Sequence, residues 1–204
     1  MMTSFEMKLN KDELATHERQ FKSTLFPVEW EIAEKLFFVA VDGFRAFEAN
    51  KSSEWRSKRH WTNMVKRCLT EIGRDNGYLI YPQEKGNRFV GQWLFDLVWI
   101  DAKAASDPDE FDWRTARGLK LACESEWTAS ETAIMGDFLK LTFAIADLRL
   151  FIYTNREVRS DGGDRVHPVD LCRRACPLSR GFRYLLLGFP QTGKDYFRVD
   201  AWTA

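Results

Sequence analysis

The chain has 204 residues, of which 45% are hydrophobic and 14% aromatic, enough for one domain with a sizeable core. Thirty basic and thirty acidic residues cancel, which excludes nucleic-acid binding through net charge alone and leaves only local patches to provide it. No apolar run approaches the roughly 20 residues that span a bilayer, the first residues are charged rather than signal-like, and four cysteines are too few for a disulfide framework. These features lead us to expect a cytoplasmic protein with no membrane partner.

Residues 1–27 are polar and read as an N-terminal arm, leaving 28–204 as a single domain. Val28 to Ala49 has helical spacing, with Trp30, Ala33, Leu36, Phe37, Ala40 and Phe44 on one side and Gly43 as a weak point. A second helix is expected to start at Ser52-Ser53-Glu54, with an apolar stripe of Trp61, Val65, Cys68, Leu69 and Ile72 and with Gly77 beyond its end. The period then changes. Tyr78 to Tyr81 is a short strand ended by Pro82, Gln83 to Arg88 a turn-rich loop, and Gly91 to Ile100 (GQWLFDLVWI) a second strand. Asp101 to Arg117 is a polar excursion containing Pro108, and Gly118 to Trp127 is the third strand. Ser130 to about Ala146 reads as a helix with apolar Ile134, Phe138, Leu141 and Ile145. A strand at Leu148 to Thr154, a short helix at Pro168 to Cys176, and strands at Arg183 to Phe189 and Tyr196 to Trp202 complete the chain. Short connections favour an antiparallel meander for the first three strands, and the helix before the fourth favours a parallel crossover. The expected fold class is α/β (α+β), a mixed sheet with flanking helices.

One feature of the third strand, LACESEW, is unusual. Alternation places Glu124 and Glu126 on one face and Cys123, Ser125 and Trp127 on the other. Two like charges on one face repel, and neither is readily buried alone. A further acid, Asp96, interrupts the apolar FDLVW of the second strand. In an antiparallel pair, the early part of one strand lies beside the late part of the other, so Asp96, Glu124 and Glu126 are expected to meet at one end of the sheet. Clustered carboxylates raise one another's pKa unless a cation neutralises them, and oxygen ligands suit Mg²⁺. The same topology puts the start of the second helix at the acidic end. Glu54 is thus a better candidate ligand than Glu71, which lies seventeen residues away, about 25 Å along a helix. In the next helix, Lys140 lies three residues after Asp137. It either forms an i,i+3 surface pair or reaches back over the carboxylates to stabilise an oxyanion or position a water.

The order α-β-β-β-α-β over roughly residues 54–154, with Asp96 in FDLVW, Glu124-Ser125-Glu126 in LACESEW and DFLKL in the following helix, resembles the PD-(D/E)XK nuclease superfamily, the restriction endonuclease-like fold. The resemblance implies Mg²⁺, with Mn²⁺ as substitute, held by Asp96 and Glu124 with Glu54 as an outer ligand. It implies Glu126 and Lys140 as the groups that handle the nucleophile. Glu126 stands where lysine is usual, a departure that also occurs in some restriction endonucleases, while other members carry the lysine on the following helix. The implied activity is endonucleolytic hydrolysis of DNA phosphodiesters, with RNA as the other substrate to consider and a homodimer as the expected assembly. The alternative is the same fold kept as an interaction or assembly module with a degraded site; an unrelated α/β enzyme built on a carboxylate cluster is a third reading.

Other signals are weaker. Arg56, Arg59 and Arg67, with His60 and Asn63 and flanked by Lys58 and Lys66, share one face of the second helix and could track a phosphate backbone, or form an ordinary solvated face. Arg173, Arg174, Arg180 and Arg183 form a second basic group with the same ambiguity. Gly188, Gly193 and Lys194 fit the spacing of a phosphate-binding loop, but Asp195 replaces the hydroxyl residue and a strand, not a helix, is expected next. His167, Cys172 and Cys176 lack a nearby fourth zinc ligand, and the cysteines read as small core residues. Most tryptophans, including Trp30, Trp61, Trp93 and Trp99, are expected in the core.

Overall fold

A computed structural model describes residues 2–50, 57–85, 88–90, 94–102, 116–160, 162–176, 181–190 and 196–204. In chain order the elements are β1 (Met2–Lys8), α1 (Lys11–Thr24), α2 (Pro27–Asn50), α3 (Lys58–Asp75), β2 (Leu79–Tyr81), β3 (Gln83–Lys85), β4 (Arg88–Val90) and β5 (Leu97–Ala102). They continue with β6 (Ala116–Glu126), α4 (Glu131–Phe143), β7 (Ala146–Thr154), β8 (Val158–Arg159), β9 (Arg165–Val166), α5 (Pro168–Ala175), β10 (Arg183–Phe189) and β11 (Tyr196–Thr203). Seven strands form one mixed sheet in the order β1-β11-β10-β7-β6-β5-β2. The meander and the crossover are as expected: β2/β5 and β5/β6 are antiparallel, β6/β7 parallel, and β10 adds a second parallel pair with β7. Among the described residues no helix is long and apolar enough to cross a membrane.

Alternation along the strands splits the core into two layers. Leu97, Trp99, Leu121 and Cys123 face α1, α2 and α3, while Val98, Ile100 and Ala122 face α4 and α5. Each helix is set by its own ends. The Ser130 hydroxyl accepts the Ala133 N–H at the start of α4, and Pro168 opens α5 behind the cap His167. α3 packs unusually close to the sheet because residue 73 is glycine. A Cβ there would fall 2.3 Å from Ile80 Cδ1 and 2.7 Å from Trp99 Nε1, and that indole N–H donates to Leu69 O at 3.0 Å.

Several expectations are corrected. Residues 1–27 are not a polar arm: β1 pairs with β11 along its whole length, and Phe5, Met7, Leu14, Phe21 and Leu25 are buried in the first core layer. Their apolar positions are few and separated by charges, so a composition reading misses a strand with only Phe5 and Met7 inward. The loop at Gln83 to Arg88 contains β3 and part of the β3/β4 hairpin. The strand expected from Gly91 begins only at Leu97 and runs on to Ala102; Leu94 to Asp96 form a bend, and Gly91, Gln92 and Trp93 lie outside the described residues. α3 starts at Lys58 with Ser57 as its N-cap, not at Ser52-Ser53-Glu54, which lie outside the described residues.

Candidate active site at the carboxyl edge of the sheet

The parallel strands β6, β7 and β10 all end at one edge, and antiparallel β5 begins there. Open α/β sheets bind their ligands at such edges. Leu97 pairs with Cys123, so Asp96, in the bend just before β5, lies next to Glu124, one step beyond that pair. The first turns of α3 reach the same edge. Lys58 Nζ donates to Thr128 Oγ1 at 2.7 Å, and Trp127 Nε1 donates to Thr62 Oγ1 at 2.8 Å. The topological placement of this helix start therefore holds, although Glu54 and Arg56 lie outside the described residues. Glu71 is exposed, toward the other end of α3.

Glu124 is the centre of the arrangement, with only 3% of its surface exposed. Burial, reinforced by the negative charges of Asp96 and Asp137, pushes its carboxyl from the usual 4.5 up to about 8, against the opposing pull of Lys140. Its Oε1 has no hydrogen-bond donor. Lys140 Nζ lies 3.5 Å from that oxygen and 2.6 Å from Asp137 Oδ1. The surface pair and the reach over the carboxylates are thus one arrangement: Lys140, with 38% of its side chain exposed, bridges both acids. Burial draws its ammonium down, but Asp137 and Glu124 outweigh that and hold it above its ordinary value. The Asp137 carboxyl is raised by burial, lowered in turn by Lys140, and raised again by the neighbouring Glu126 carboxylate. Glu126 also accepts the Thr128 N–H, which fixes it at the end of β6.

Asp96 is engaged from the α3 side. Its Oδ2 accepts the Ser125 N–H at 2.9 Å and the Ser125 hydroxyl at 2.7 Å, and its Oδ1 lies 3.2 Å from Lys66 Nζ. These contacts end the β5 ladder, because the carboxylate takes the backbone donor that an additional strand residue would use. The contacts of Ser125 and Lys66 with Asp96 escaped the sequence reading, which placed Lys66 only beside the basic face of this helix. Ser125 alternates away from the glutamates, and Lys66 borders the apolar stripe of α3 one residue after Val65. A cation directly beside a core-facing stripe is the signal that could have drawn attention to it.

Among the described residues, no three His, Cys, Asp or Glu side chains converge as a group that could hold a metal ion. Two ammonium groups lie against the carboxylates: Lys66 on Asp96, and Lys140 on Glu124 and Asp137. By chemistry these groups suit a hard divalent cation, since all are carboxylate oxygens and the buried Glu124 Oε1 has Lys140 Nζ, 3.5 Å away, as its neighbouring cation. Of the arginines expected to meet nucleic acid, Arg59 is exposed in the first turn of α3 and Arg67 is half-buried two turns on.

The remaining motifs resolve structurally. Gly188 belongs to β10, and a Cβ there would fall 2.9 Å from Tyr153 Oη, so packing demands this glycine; Gly193, Lys194 and Asp195 lie outside the described residues, and the strand β11 follows them. Both ring nitrogens of His167 are engaged, Nδ1 by the Val169 N–H at 3.3 Å and Nε2 by Asn155 Oδ1 at 2.9 Å. Trp30 and Trp99 are buried, Trp61 packs against the core, and Cys68, Cys123 and Cys172 are buried thiols. No protein-family model, curated protein or solved structure matches the chain.

Proposed function

We propose that the carboxyl edge of the sheet is a hydrolytic site for DNA phosphodiesters that works with Mg²⁺, or with Mn²⁺ in its place. The observation that carries this reading is Glu124: a buried carboxyl raised to about 8, with one oxygen lacking a donor and a solvent-reaching lysine 3.5 Å away. A purely structural pair gains little from such burial, whereas functional sites collect perturbed groups. Asp96 and Glu124 would hold the cation, which when bound supplies a water of lowered pKa and screens charge on the phosphate. Glu126, which influences Asp137, would accept a proton from the attacking water. Lys140 would stabilise charge on the phosphate oxygens. Lys66 and Ser125 would orient Asp96 through the contacts at its two oxygens.

A second reading is favoured by one observation. Lys66 and Lys140 already neutralise the acids, as they would in an assembly module whose site has lost its chemistry. Plasmid nicking separates the two. Supercoiled DNA should be nicked with Mg²⁺ or Mn²⁺, not with EDTA, and not by Asp96→Asn or Glu124→Gln variants that still fold. No nicking with either ion, or equal nicking by both variants, overturns the hydrolytic reading.

A further inference from the structure

Between β7 and α5 the chain makes a small hairpin whose cross-strand pairs are Val158↔Val166 and Arg159↔Arg165. Val158 is 2% exposed and, with Val166, packs into the second core layer, so the valine pair anchors the hairpin and the arginine pair faces outward. The turn is closed by Ser160 N–H to Asp164 O and Gly163 N–H to Ser160 O, both at 2.8 Å. Two guanidinium groups directly opposite each other repel, and a ladder this short has little with which to offset the repulsion. Among the described residues only Glu157 answers them, at 3.9 Å from Arg165, with half of its own side chain and most of the arginine's in solvent. Arg156 and Arg159 have no ion-pair partner among the described residues.

These side chains line a cleft of about 340 Å³ together with Ala129. Ala129 belongs to the turn between β6 and α4, three residues after Glu126, and Arg156 follows the end of β7, where Thr154 Oγ1 donates to Trp127 O at 3.3 Å. The cleft therefore opens beside the acidic cluster. The preceding residue of the same turn, Thr128, accepts Lys58. The turn Trp127–Ala129 is thus bracketed by cations from two separate elements.

We propose that the Arg156–Arg159–Arg165 cleft binds the phosphate backbone of DNA and, with Lys58 across the turn, leads it past Glu124 and Glu126. Guanidinium forks match phosphate oxygens, and a bound phosphate removes the cost of the opposed arginines. The choice of DNA as the polyanion rests on the hydrolytic reading above.

The test is fluorescence anisotropy of a labelled duplex of about 30 base pairs, in EDTA so that no cleavage occurs, across a salt series. The triple variant Arg156→Gln/Arg159→Gln/Arg165→Gln should bind at least about 10-fold more weakly near 0.1 M salt, with the log–log salt slope reduced by about two to three. Lys120→Gln, on the opposite half of β6, should leave both unchanged, and Arg159→Gln alone should not lower stability in urea. Unchanged affinity and slope in the triple variant, or no binding by the wild-type chain, overturns the proposal. Arginine-dependent binding without metal-dependent nicking sinks the hydrolytic reading and leaves the cleft standing. Nicking that needs Glu124 beside unchanged binding in the triple variant does the reverse.

Discussion

Replacing Glu124 by glutamine keeps the shape of the side chain and removes its proton equilibrium. In the folded chain that carboxyl is raised from 4.5 to about 8, by burial first and then by Asp96 and Asp137, while Lys140 on α4 opposes the shift. Near pH 4 both the folded and unfolded chains hold the proton, and the substitution should be close to neutral. As pH rises, the unfolded chain releases a proton that the folded chain retains, so the wild-type protein loses stability between about 4.5 and about 8. Linkage gives a deficit of roughly 1 kcal/mol at pH 5 and roughly 3 at pH 7, levelling near 5 above pH 9. Glu124→Gln should therefore be more stable than wild type by these amounts, growing with pH. Urea denaturation in EDTA at three or four pH values measures the difference, and EDTA keeps adventitious cations from masking it. Parallel stability curves for the two proteins would refute the reasoning, because the carboxyl would then be relaxed into solvent or fully neutralised by Lys140.

Lys140→Met should lower the nicking rate by about 100-fold, since it removes the cation nearest both acids, and a rate within a few-fold of wild type would exclude the lysine from the chemistry. Phe5→Ala should cost about 3 kcal/mol in urea, because β1 is part of the core rather than an arm. Gly73→Ala should cost about 1–3 kcal/mol, as the new methyl meets Ile80 and the indole of Trp99, which its bond to Leu69 O holds in place.

The sequence made the central meander, the crossover and the two glutamates legible because each rests on a local period. LACESEW alternates, and α4 follows the cap Ser130, so Glu124, Glu126 and Lys140 come to one face without any long-range information. Asp96 beside Glu124 needed only antiparallel register. What escaped needed tertiary contact. Ser125 pulls the Asp96 carboxylate toward Lys66, a rotation of one side chain that no periodicity encodes. β1 carries just two inward residues, and its pairing with β11 is specified by a partner at the far end of the sequence. The hairpin of β8 and β9 is two residues per strand, below the length at which alternation can be recognised.

That pairing of β1 with β11 has a consequence for biosynthesis. Within this sheet β1 precedes every other strand in the chain, yet it cannot find its neighbour until β11 has emerged. Until then Phe5 and Met7 have no strand beside them, and β11, from the moment it is made until β1 docks, offers an open ladder edge. The sheet should therefore be most prone to misassociation in the interval before β1 and β11 meet, and its slowest folding step should be this closure between distant segments.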